Sequence, residues 1–220
     1  MAGVIEMDAA RSLVADKTRW PRIRDFLFDF PSRIHPSRLE STALPSGIPE
    51  LARTPRAKKY ILDFFRVEPF FHAFPAEDGS RIALLDFKDI DGAARWLGAL
   101  SAADALRRTT AGAQVRALKA AFPGVYPDVF AYTAYFRRGD LPECASPQPD
   151  DVAAAGYGIV GAALSRAPAP LLQRFRLVLP EREAAWFDSP SHDLSASVAA
   201  KSVGKILKLK FPEAFAVCCS

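Results

Sequence analysis

Gly156-Tyr157-Gly158-Ile159-Val160-Gly161 spells G-x-G-x-x-G, and Glu181 follows about 20 residues later, where a ribose-binding carboxylate would stand. The chemistry of such a loop is pyrophosphate binding, with glycine amides at a strand-to-helix turn. The surroundings do not supply that turn. "PDDVAAA" ahead of the glycines is too short and alanine-rich for a buried strand, and Pro168 and Pro170 cut the following helix within about two turns. The run therefore reads as a glycine-softened helix whose small residues let another helix approach closely, and an NAD(P)-dependent enzyme is the weakest reading of the chain. "DSPSHDLS" sets Ser191, His192 and Asp193 side by side, a hydrolase triad by residue type alone. Adjacent residues point apart and no G-x-S-x-G elbow presents a nucleophile, so the stretch reads as a helix start. His35, His72 and His192 show no ligand spacing, and His72 in "FFHAF" reads as a packed ring. The expectation is no catalytic, cofactor-binding or metal-ligating residue.

Cys144, Cys218 and Cys219 are an odd number in a chain of 220 residues, which argues for reduced thiols and against a disulfide framework. "AVCCS" is not a prenylation signal, because Val217 stands four places from the end. The N-terminal "MAGVIEMDAARSLVADK" lacks the basic-then-apolar order of a secretory leader, and no window approaches the roughly 18 apolar residues of a membrane span. The expectation is a soluble, cytoplasmic globular protein without membrane insertion. Its 29 basic and 25 acidic residues leave a net charge of +4, weak grounds for a nucleic-acid partner and equally suited to an acidic protein surface. Nine basic residues against four acidic between Arg19 and Lys59, interleaved with aromatics, keep a nucleic-acid-binding or regulatory helical protein as the alternative.

The elements follow from helical periodicity. Thr54-Pro55 is an N-cap and first helical position, and Ala57, Tyr60, Ile61, Phe64 and Phe65 then form one apolar stripe ending before Pro69. "SRIALLDF" at 80–87 is ambiguous between strand and helix. "GAARWLGAL" puts Trp96, Leu97 and Leu100 on one side, Ser101 and Asp104 form an S-x-x-D start, and Val115, Leu118 and Phe122 align up to Pro123-Gly124. Asp128 caps "VFAYTAYFRR", with Gly139 past its end. In "ASVAAKSVGKILKLKF", Lys201, Lys205 and Lys208 share one face opposite Ala199, Val203, Ile206 and Leu207. The spacing predicts a mainly α, multi-helix globular domain with little or no β-sheet. Residues 54–139 form its main part, 140–151 a proline-rich loop, and 152–220 a C-terminal part. Residues 1–53 are an irregular N-terminal segment, whose "FDFPSRIHPSRLESTALPSGIPELARTP" reads as an extended, apolar-studded strap across the helices.

"FPSRIHPSRL" at 30–39, "ALLDFKDIDGAARWLGALSAADALRRTTAGAQVRALKAAF" at 83–122 and "KSVGKILKLKFPEAFAVCC" at 201–219 together resemble the SctK family of bacterial type III secretion systems, which includes YscK and OrgA. The resemblance runs from about residue 28 to the end, leaving out the glycine-rich segment at 156–161. It implies a non-enzymatic adaptor of the cytoplasmic sorting platform, peripheral at the cytoplasmic face of the inner membrane. Its implied partners are the cytoplasmic domain of the ring protein SctD and the pod protein SctQ, with no small-molecule substrate. Phe30, Pro31, His35, Pro36 and Leu39 would be a structural signature. Lys201, Lys205 and Lys208 are the candidates for meeting an acidic partner.

Overall fold

Proline punctuation sets where many of the helices begin. Its ring fixes φ near the helical value and removes an N–H that has no partner in the first turn. The computed structural model describes residues 20–42, 54–67, 78–126, 128–137, 139–190 and 194–219. Helix α1 is Trp20–Phe28, followed by a 3-10 turn at Phe30–Arg33, then α2 Pro36–Glu40 and α3 Pro55–Phe64. A short α4, Asp78–Arg81, leads into a 3-10 turn and then α5 Phe87–Ser101, α6 Ala103–Arg108, α7 Gly112–Ala121 and α8 Val129–Tyr132. The C-terminal half comprises α9 Pro149–Leu164, α10 Ala169–Val178, α11 Glu181–Phe187, α12 Ala196–Lys210 and α13 Pro212–Cys219. Among the described residues there is no strand, so the fold is all-α as the periodicity predicts.

Helix α9 is the centre. Every residue from Gly156 to Leu164 is buried, the mark of a helix surrounded by others, and α9 packs against α5, α11 and α12. The glycines make this possible. A Cβ on Gly156 would overlap the carbonyl oxygen of Ala94, and one on Gly98 would overlap that of Val152, so α5 and α9 cross backbone against backbone. Gly161 sits in the same way against the carbonyl of Phe187 in α11. The G-x-G-x-x-G run therefore lies within a buried helix, where its amides serve the helical ladder and cannot cradle a phosphate.

Several expectations give way to packing. Tyr60 and Phe64 of the α3 stripe are 44% and 40% exposed, and only Ala57 and Ile61 go under, because a ten-residue helix docks by a stripe one residue wide at each turn. Ser101 does not start a helix: burial of Ala99, Leu100 and Ala102 carries α5 through it, and its hydroxyl is buried without a partner. The cap position ahead of α6 falls to Ala102. Asp128 makes no side-chain cap, because its own backbone is already helical (ψ −24°) and not extended. The helix after it stops at Tyr132, giving way to a 3-10 turn at Thr133–Tyr135. The loop expected over 140–151 ends at Gln148, since Pro149–Asp151 form the first turn of α9. Residues 80–87 are helical turns and not a strand. The strap is likewise not extended throughout: over its described part it begins at the end of α1 and holds the 3-10 turn Phe30–Arg33 and the short α2. Its part at 43–53, the "FFHAF" cluster with His72, and Ser191-His192-Asp193 lie outside the described residues.

Candidate functional site

The histidine-proline-serine block closes on itself and then on two distant turns. His35 has extended backbone, as a residue before proline must, and its Nδ1 accepts the Ser37 N–H at 3.3 Å, making the imidazole the N-cap of α2. Its main-chain N–H donates to the Leu177 carbonyl at 2.9 Å, and its ring meets Phe87 edge-on at 4.9 Å. Phe30 and Pro31 are buried, Phe30 edge-on to Phe26; Leu39 is half-buried against the core and Pro36 is exposed. Arg33 donates to the Leu84 and Leu85 carbonyls at 3.0 and 2.7 Å, while Arg38 donates to the Leu179 carbonyl at 3.0 Å. Arg174, 3% exposed, lies 5.1 Å from the Phe30 ring centre and donates to the Phe26 carbonyl. Burial pulls both the Arg33 and Arg174 guanidiniums below their ordinary pKa, in Arg33 against the opposing pull of Asp86. Of the block's Phe30, Pro31, His35, Pro36 and Leu39, the first two are buried, His35 caps α2, Pro36 begins it and Leu39 packs against the core.

Much of the basic run that suggested nucleic acid is engaged within the fold. Arg22 pairs with Asp86, Arg24 with Asp25, Lys58 with Asp29 and Lys59 with Asp63, beside the carbonyl contacts of Arg33 and Arg38. A second half-buried network joins α9 to α5. The Tyr157 phenol donates to Asp91 at 2.8 Å, Arg95 donates to the same carboxylate at 2.7 Å, and burial beside Asp91 raises the phenol far above its ordinary pKa. Arg95 also reaches the Ala121 carbonyl at the end of α7, so the trio joins three helices.

Lys201, Lys205 and Lys208 of α12 do come to one place, a cleft of about 600 Å³. It is lined also by Gly79 and Ser80 of α4, by Ala163, Arg166 and Ala167 around the end of α9, and by Phe215 of α13. The lysines differ in what they do there. Lys205 donates to Asp140 at 3.0 Å and to the Tyr135 carbonyl at 2.9 Å, and it lies 4.7 Å from the Phe136 ring centre. It ties Tyr135 and Asp140 to α12, aided by Ser202, which donates to the Asp140 carbonyl. The Arg137 amide, and after it Lys205, hold the Asp140 carboxyl below the usual carboxylate range. Lys201 and Lys208 are exposed, Lys208 with its ammonium 6.0 Å from the Phe215 ring centre. Sequence spacing found the lysines and missed Arg166, whose approach depends on how α9 crosses α12.

The chain matches the family YscK, YOP proteins translocation protein K, over residues 24–220. No curated protein and no solved structure matches it. The match takes in the histidine-proline-serine block, the α5–α7 run and the lysine-bearing α12, the segments on which the resemblance rested, and also the glycine-rich α9, which the resemblance left out. The chain belongs to the YscK family of type III secretion proteins, a family of secretion-apparatus components.

Proposed function

We propose that this protein is an adaptor of the cytoplasmic sorting platform, bridging the cytoplasmic domain of the inner-membrane ring protein SctD and the pod protein SctQ at the cytoplasmic face of the inner membrane. The cationic cleft carrying Arg166, Lys201 and Lys208 is the observation that carries the reading, because in a family of secretion components it offers a surface for recognition. The mechanism is binding. The interlocked α5–α9 crossing supplies a stiff body in which two separate surfaces keep a fixed relation, as a bridge requires. Among the described residues no helix is long and apolar enough to cross a membrane, which suits a peripheral position. The nucleic-acid alternative loses support from the inward engagement of Arg33 and Arg38, and the dinucleotide alternative from the burial of Gly156–Gly161 inside α9.

The test is a pull-down of the full chain from the native cytoplasm with mass spectrometry. Recovery of both the ring and the pod protein is expected; recovery of neither contradicts the reading. A labelled oligonucleotide at physiological salt is expected to show no shift.

A further inference from the structure

The cleft beside α12 combines a floor of small residues with a row of cations. Its floor is of small residues, Ala167, Ala200 and Gly204, beside Gly79 of α4, which is set close against the Ala163 carbonyl, and among the described residues its lining includes no carboxylate. Four cations line it, yet Lys205 is tied to Asp140, so Arg166, Lys201 and Lys208 are the exposed ones. Lys201 and Lys208 stand two helical turns apart, about 10.5 Å along the axis. That span equals two turns of an incoming helix or about three residues of an extended strand. We infer that the cleft is the docking groove for an acidic segment of a partner protein, which lays small side chains on the alanine and glycine floor and sets carboxylates on Arg166, Lys201 and Lys208. The inference rests on the adaptor reading for the existence of a protein partner, and it adds where and by what chemistry one partner is held. A bilayer surface cannot enter a concave cleft, and single-stranded nucleic acid asks for a series of stacking rings, where among the described residues this lining has Phe215 alone.

Ser197 is exposed on the first turn of α12 and lines the cleft, so a photo-crosslinking amino acid there reports what enters it. The experiment uses the full chain in cells carrying the secretion system, with irradiation and peptide mapping of the product. The expected product joins Ser197→p-benzoyl-phenylalanine to a segment of net negative charge in another protein. Adding Arg166→Glu, Lys201→Glu and Lys208→Glu is expected to cut its yield at least tenfold, with an unchanged melting temperature. If the triple variant melts lower, Lys201→Glu/Lys208→Glu, both on the exposed face of α12, serves as the readout. For the purified pair, the affinity difference between wild type and variant shrinks as salt is raised to about 1 M, where the screening length falls to about 3 Å. A product with lipid, with nucleic acid, within the chain itself, or with a segment that is not acidic overturns the inference, as does no product or a yield indifferent to the charge reversals. An acidic segment in a protein other than the ring and pod proteins upholds the groove and contradicts the bridge. Loss of the product while both proteins are still recovered with the chain contradicts the groove and leaves the bridge standing.

Discussion

Lys201, Lys205 and Lys208 share one helix face and yet have different jobs. Lys205 holds Asp140 and the Tyr135 carbonyl, so Lys205→Ala removes a partly buried ion pair and leaves a carbonyl without its donor, a loss of about 1–2 kcal/mol. Calorimetry is expected to show a melting temperature about 2–8 °C lower, while Lys201→Ala and Lys208→Ala stay within about 0.5 kcal/mol of wild type. Asp140 gives the pH dependence. Its folded pKa lies below the unfolded value, so its contribution is fully present above about pH 4 and is lost as pH falls through the folded pKa. Asp140→Asn is expected to flatten that part of the acid limb in a pH series of urea melts; an unchanged limb would mean that the pair contributes nothing. The face itself was legible, because positions four and three apart on a helix must align. Which lysine is engaged was not, because Asp140 lies 65 residues from Lys205 and nothing local links them.

Helices α5 and α9 are built around each other's glycines. Gly98→Ala gains about 1 kcal/mol of helix propensity and at the same time drives a methyl group into the Val152 carbonyl. Backbone cannot move aside as a side chain does, so the overlap wins, and Gly98→Ala and Gly156→Ala are each expected to destabilise by about 1–3 kcal/mol in thermal melts. Gly112→Ala is the control. A Cβ there meets only the Arg116 guanidinium at 3.5 Å, and the melting temperature is expected to hold or rise slightly. The N-terminal block makes a second test. His35→Ala loses the α2 cap at a cost of about 1 kcal/mol, and His35→Asp, which can accept the same Ser37 N–H, is expected to recover most of it. Removing residues 30–39 altogether is expected to abolish cooperative unfolding, since Phe30 is buried in the core and Arg33 and Arg38 reach the carbonyls of Leu84 and Leu179. Helix starts at Pro55 and Ser195 and the small-residue character of 156–161 were readable, since capping and close approach are local demands on residue type. The turns of 20–40, the passage of α5 through Ser101 and the exposure of Tyr60 and Phe64 were not, because tertiary burial decides them.

Taken whole, the molecule is one interlocked helical core with a family identity spanning residues 24–220 and a cationic cleft at the meeting of α4, α9, α12 and α13. The resemblance seen in the sequence supplied the family, which composition could not: a net charge of +4 and half hydrophobic residues describe many proteins. The cleft needed the fold, because Ser80, Arg166, Lys201 and Phe215 come from four separate segments. A bridge has a property that a mere binder lacks, in that its two partners associate through it. The direct measurement is recovery of the ring protein SctD on a tagged pod protein SctQ from cells with and without this chain. SctD is expected to be recovered when the chain is present and to fall at least tenfold when it is deleted, with restoration by the wild-type chain; equal recovery of SctD in its absence would contradict the bridge.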